Sequence, residues 1–116
     1  MTTIRDTTPR ARKERQCEEC GRKIERGEVY SSYFGTWEGE AFTNTACAHC
    51  AAARRILAEL DDYYWESYYG GLTAALSEAW REHISIARLH VGTSQQWRFK
   101  SGLMMPIPQI EPGGER

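Results

Sequence analysis

The chain has no long apolar run. None of its 116 residues belong to a stretch able to span a bilayer, and it carries no lipidation motif. The opening Met1-Thr2-Thr3-Ile4-Arg5-Asp6 lacks the apolar segment of a secretory leader. These absences predict a soluble protein of the cytoplasm, in a reducing compartment that disfavours disulfides. A surplus of one charge is also missing. Fifteen basic residues stand against sixteen acidic ones, a formal net charge of -1, which excludes duplex nucleic-acid binding by bulk charge alone. Hydrophobic residues make up only 41%, so a single domain of this size has a small core and gains from a cross-link or a metal.

Cysteine is scarce as well, but all four fall in two matched pairs. Cys17-Glu18-Glu19-Cys20-Gly21 and Cys47-Ala48-His49-Cys50 have the spacing of a four-thiolate zinc site. A two-residue spacer lets both sulfurs of a pair turn toward one point, and Gly21 can take the positive φ that aims backbone amides back at sulfur. The second pair precedes Ala51-Ala52-Ala53-Arg54-Arg55-Ile56-Leu57, good helix formers, which places Cys47 and Cys50 at a helix start where thiolate charge meets the positive dipole end. A structural Zn2+, one per chain, is the expectation, and it makes the loaded chain more acidic by a further two charges. A redox dithiol pair and two disulfides are the competing readings of the same residues. His49 is either a substitute ligand or a side chain exposed at the helix start.

Residues 1–16 read as a flexible basic segment, with Arg5, Arg10, Arg12, Lys13 and Arg15 and no apolar periodicity. Residues 17–105 read as the zinc-stabilised domain with a helical extension, and residues 106–116 as a tail. Within the domain, Val29 to Phe34 and Glu40 to Thr45 form a β-hairpin whose loop carries Trp37, either exposed for recognition or folded over the core. Ile56, Leu57, Leu60 and Tyr64 continue the helix that begins near Cys47. Gly70-Gly71 breaks the pattern, and a second helix from about Leu72 to His83 completes a helical hairpin, with Leu72, Leu76, Ala79, Trp80 and His83 on one side. Ile84 to Val91 fits either more helix or a strand, and Gly92-Thr93-Ser94 ends it. Gln96 to Lys100 and Leu103 to Pro106 then form a short hairpin about Ser101-Gly102, with Trp97 and Phe99 on one face and Arg98 and Lys100 on the other.

With the cysteines, the hairpin and the helix in view, the fold class is α+β: a small treble clef of knuckle, β-hairpin and helix, then a helical hairpin and a short C-terminal β-hairpin. The run from Cys17 through Cys-Gly-Arg-Lys-Ile and Gly-Glu-x-Tyr to the Trp-Glu-Gly turn and Cys50 resembles the small treble-clef zinc proteins of bacteriophage and prophage genomes. The segment from Trp97 to Pro108 resembles the tail many of them carry. The resemblance implies a zinc fold of mobile-element origin, in a bacterial host cell, without implying a defined activity. More distantly, the cysteine region is similar to LIM and poly-ADP-ribose-polymerase-type fingers.

Catalysis is not expected. Metal-dependent nucleases built on this frame need a histidine on the hairpin and a further ligand on the helix, and this hairpin has no histidine. Two binding functions remain. Residues 59–82 carry six acidic groups and one basic group among clustered aromatics. Asp61, Asp62, Tyr63, Trp65, Glu66 and Tyr69 therefore form a candidate contact for a host or phage protein, such as a component of a defence system, unless they are only the wet faces and core of two helices. The alternative is nucleic-acid binding through Arg22, Lys23, Arg26, Trp97, Arg98 and Lys100. Neither reading involves a membrane or a small-molecule substrate.

Overall fold

The computed structural model describes residues 2–60 and 71–109, which fold as a mixed α+β protein with antiparallel sheets. Five strands come first: β1 (Thr2–Thr7), β2 (Arg15–Gln16), β3 (Lys23–Ile24), β4 (Tyr30–Trp37) and β5 (Glu40–Cys47). Three helices follow among the described residues: α1 (Ala48–Leu60), α2 (Leu72–Ala79) and α3 (Ile84–Ser94), with a 3-10 turn at Trp80–Glu82 between the last two. β2 and β3 form a two-stranded ladder around the first cysteine pair, and β1, β4 and β5 form a three-stranded sheet in the order β1-β4-β5.

The central hairpin is longer than the sequence suggests. β4 and β5 pair in unbroken register from Tyr30 opposite Cys47 to Trp37 opposite Glu40, leaving only Glu38 and Gly39 as the turn, both at positive φ. That is the turn whose twist matches the strands it joins. Trp37 therefore ends a strand instead of occupying a loop.

The amino terminus pairs with the hairpin. Expected as a flexible segment, it is tied along the sheet: β1 pairs with β4, Arg10 bridges Val29, Ala11 N donates to Glu28 O at 2.8 Å, and Gly27 N donates to Ala11 O at 2.8 Å. Its arginines suggested solvation, but Thr2, Thr3, Ile4 and Thr7 are β-branched residues well suited to pairing with β4.

The helical part also differs. The helix beginning at Leu72 stops at Ala79, and His83 turns extended (φ -159°, ψ 137°) so that its Nδ1 accepts from Ser85 N at 3.0 Å and caps α3. Histidine is outside the usual set of N-caps, so the break was hidden. The open choice for Ile84 to Val91 resolves as helix, which runs past Gly92 to Ser94. Leu72, Leu76 and Ala79 are buried as expected, joined by Ala75, while Trp80 is 38% exposed. The expected C-terminal hairpin is reduced to a single bridge, Arg98 with Met104, beside a tight turn. Trp97 and Phe99 do not share an environment: the first is 3% exposed, the second 49%.

One apolar cluster runs through the molecule. It joins Ile24 and Tyr30 of the strands to Ile56 and Leu57 of α1, Leu72 and Leu76 of α2, Ile86 and Leu89 of α3, and includes Cys17, Cys47 and Cys50. The cysteine cluster is thus part of the core that all the layers share.

Candidate metal centre

Three local structures deliver the four sulfurs. Cys17 and Cys20 sit in the turn between β2 and β3, Cys47 ends β5, and Cys50 lies in the first turn of α1. All four Sγ atoms lie within 4.8 Å of one another, and Cys20 Sγ is 4.0 Å from Cys47 Sγ. A tetrahedron with metal–sulfur bonds of about 2.3 Å has edges of about 3.8 Å, so a small contraction seats one ion. None of the four is in a disulfide.

The backbone around them is arranged for anionic sulfur. Cys17 Sγ accepts from Glu19 N (3.4 Å), Cys20 N (3.5 Å) and Cys47 N (3.3 Å). Gly21, at φ +82°, closes this turn by donating to Cys17 O at 3.0 Å, a conformation a side chain would strain. Cys47 precedes α1, and its Sγ accepts from Cys50 N at 3.4 Å, the bond a serine or aspartate N-cap would accept. Cys50 Sγ accepts from the indole Nε1 of Trp97 at 3.2 Å.

Without a metal the thiols compete for protons. The hydrogen bond with Cys20 is the main cause that brings Cys17 down to about 7, and hydrogen bonds, first from Cys17, lower Cys47 as well. Their partners move the other way: Cys20 and Cys50 are raised, in each case chiefly through the hydrogen bond with Cys17. A divalent metal binds by displacing the remaining protons.

The two spacer residues of the first pair, Glu18 and Glu19, lock the turn to the rest of the fold. Glu18 exchanges two bonds with Thr45 of β5, its N donating to Thr45 O (2.8 Å) and its Oε2 accepting from Thr45 N (2.9 Å). Glu19 is buried, and its carboxylate accepts from Arg54 of α1 at 2.8 Å and from Leu72 N at the start of α2 at 3.0 Å. From the far side, Gln96 Nε2 donates to Cys20 O at 3.1 Å.

His49 is neither of the two things expected of it. It lies outside the sulfur cluster and is 5% exposed, with Nε2 donating to Met105 O at 2.6 Å. Because a carbonyl can only accept, Nε2 carries the proton. The C-terminal segment, which reaches back over α1, covers this ring.

The nucleic-acid candidates separate into two groups. Arg22 is 2% exposed and bound to both oxygens of Glu28, at 3.2 and 3.0 Å, so it is structural. Trp97 is likewise buried on the metal centre. Charge and aromaticity, which make both candidates for a recognition surface, are visible in sequence, and burial is not. Lys23, Arg26 and Lys100 are exposed, and Arg98 is half-buried with Nη1 donating to Gly102 O at 2.9 Å. The protein-contact candidates Asp61, Asp62, Tyr63, Trp65, Glu66 and Tyr69 lie outside the described residues.

Sequence reasoning missed Glu18, Glu19 and Gln96 as supports of the centre. The glutamates stand in sequence only as the two spacer residues, and no local signal links Gln96 to Cys20. Comparison of the chain with protein-family models, with curated proteins and with solved structures gives no match. Among the described residues no helix is long and apolar enough to cross a membrane.

Proposed function

We propose that the four cysteines hold one structural zinc ion in a treble clef, and that the protein is a non-catalytic binding module of bacteriophage or prophage origin acting in the bacterial cytoplasm. The observation that carries the zinc reading is the set of four sulfurs within 4.8 Å, supplied with N–H donors at Cys17, Cys47 and Cys50. All-thiolate donors select a soft or borderline metal, and four of them leave no position for water. The ladder of β2 and β3, the hairpin of β4 and β5, and α1 are the knuckle, hairpin and helix of a treble clef. Metal analysis of the purified chain tests this: about one zinc per chain is expected, and Cys20→Ser is expected to lose both metal and fold.

The activity we assign to this scaffold is capture of a host or phage protein through residues 61–69, with inhibition of a defence component as the outcome. Support comes from the six acidic groups against one basic group in residues 59–82. Pull-down from host lysate, with and without nuclease, tests it. A partner that survives nuclease and is lost on substituting Asp61, Asp62 and Glu66 supports the reading; one unaffected by those changes removes it.

The second reading, nucleic-acid binding, is favoured by a separate observation, the exposure of Lys23 and Arg26 beside the basic amino-terminal arm. Recovery that disappears with nuclease or modest salt would select it.

A further inference from the structure

Folding of the amino-terminal arm along the knuckle assembles a cationic face that neither segment has alone. Residues 9–16 lie antiparallel to residues 23–30: Arg15 pairs with Ile24, Gln16 with Lys23, Arg10 bridges Val29, and Tyr30 N donates to Pro9 O at 3.0 Å. This brings Arg10, Arg12, Lys13 and Arg15 alongside Lys23 and Arg26, all six exposed.

Opposing charge on the same two segments is limited. Glu28 is committed to the buried Arg22, leaving Glu14 and Glu25. Glu14 meets Lys23 at 3.5 Å, with both side chains more than half exposed, where such a pair contributes little and yields readily to a competing anion. Arg12, Lys13 and Arg26 make no ion pair among the described residues. Two of the remaining cations are pre-positioned: Arg10 Nη1 donates to Gly27 O at 3.0 Å, and the Arg15 guanidinium lies 5.3 Å from the Tyr30 ring centre.

We propose that this face binds the phosphodiester backbone of nucleic acid. The inference rests on the nucleic-acid reading above, replaces the buried Arg22 and Trp97 with the arm, and names the ligand chemistry. Four of the six cations are arginines, whose forked donors match phosphate oxygens. The face has no apolar centre of the kind a protein interface buries, Val29 being its one large exposed apolar side chain. Nor does it expose an aromatic ring for base stacking, since Tyr30 is buried. Contacts of this kind position a backbone without reading sequence.

The test uses the full metal-loaded chain and a short labelled oligodeoxynucleotide of mixed sequence, as single strand and as duplex, followed by fluorescence anisotropy. Binding to at least one form, indifferent to base sequence, is expected. Engagement of about six cations weakens affinity on the order of 100-fold when salt is tripled. The triple reversal Arg12→Glu, Lys13→Glu and Arg26→Glu, checked for retained metal and helicity, is expected to abolish binding, while Arg55→Glu with Arg88→Glu, two exposed arginines on α1 and α3, leaves it within about twofold. If the wild-type chain binds but only the second variant loses binding, the nucleic-acid reading survives and this face is wrong. If no form of the oligonucleotide binds, both fall. Binding of polyglutamate in place of DNA would assign the face to an acidic protein and overturn the proposal.

Discussion

The Trp97 indole nitrogen donates to Cys50 Sγ at 3.2 Å across 47 positions of chain, from a ring that is 3% exposed. The chain is bent to achieve this. After α3, Gln96 and Trp97 both take positive φ, 54° and 62°, with Gln96 N donating to Thr93 O and Trp97 N to Gly92 O. This is the paired closure of a helix C-terminus that glycine usually provides. Two non-glycine residues in that region cost on the order of 1–3 kcal/mol each, and the contacts of Gln96 with Cys20 O and of Trp97 with Cys50 hold them there.

Trp97→Phe keeps an aromatic side chain at this buried position but removes the indole N–H together with the five-membered ring that carries it. Partners of metal ligands typically contribute 10–100-fold to affinity, so the variant is expected to bind zinc at least about tenfold more weakly in a chelator competition. Its fold when zinc is saturating should be unchanged.

Gly92→Ala should destabilise the protein although alanine is the better helix former by about 1 kcal/mol. A Cβ at Gly92 falls 2.1 Å from Cζ3 of Trp97, within the rigid ring. Overpacking of that kind costs about 1–3 kcal/mol, seen as a lower Tm. In a Trp97→Ala background the same change should cost little or become favourable, and this reversal distinguishes the contact from a general effect on α3.

Zinc affinity should rise with pH. In the metal-free chain Cys20 and Cys50 are raised and stay protonated at neutrality, and Cys17 titrates at about 7. Binding therefore releases protons, and between about pH 6 and pH 8 the apparent affinity should climb by roughly tenfold per unit for each proton displaced. Proton release measured in weak buffer, with apparent affinities across that range, checks both sign and number. A pH-independent affinity would mean that the thiolates are preformed.

The Arg22 and Glu28 pair gives the fold an acid limit. Burial works to raise the Glu28 carboxyl, but the Arg22 guanidinium and the N–H of Glu25 outweigh it, and the net shift is downward from 4.5. A carboxylate depressed in the folded state adds stability that is present above 4.5 and is lost as pH falls through its lowered folded value. Glu28→Ala leaves a buried guanidinium without its partner and should cost about 2–3 kcal/mol at neutral pH, Glu28 itself being partly exposed. Urea unfolding at neutral and acid pH should show the gap between variant and wild type closing in acid.

Much of the metal centre was legible in the chain because its information is local. Two Cys-x-x-Cys pairs, a glycine after the first and a helix-forming run after the second depend on neighbours within a few residues, and the structure brings those four sulfurs together. The existence of the β4 and β5 hairpin was readable for the same reason, its two runs of strand formers being adjacent, but its tight Glu38-Gly39 turn and the extension of β4 to Trp37 were not. Burial was not legible. Arg22 and Lys23 are neighbours of like charge, yet the first is 2% exposed and paired with Glu28 while the second faces solvent, because burial alternates along the chain as it enters β3, with Arg22 and Ile24 inside and Lys23 outside. His49 resembled a ligand or a surface residue until Met105, 56 positions away, closed over it. Gly92 looked like a helix stop, when its role is to leave room for the ring of Trp97.

Sequence by itself determined the cysteine spacing, the charge balance, the central hairpin and the helices that follow Cys47 and Gly71, since each arises from bonds and periodicities within one segment. Only the tertiary structure decided which side chains support the sulfurs, which cations reach solvent, and that a basic arm lies along the knuckle as an edge of the fold. Those outcomes depend on which segments exclude water from one another, and that is a property of the packed chain as a whole.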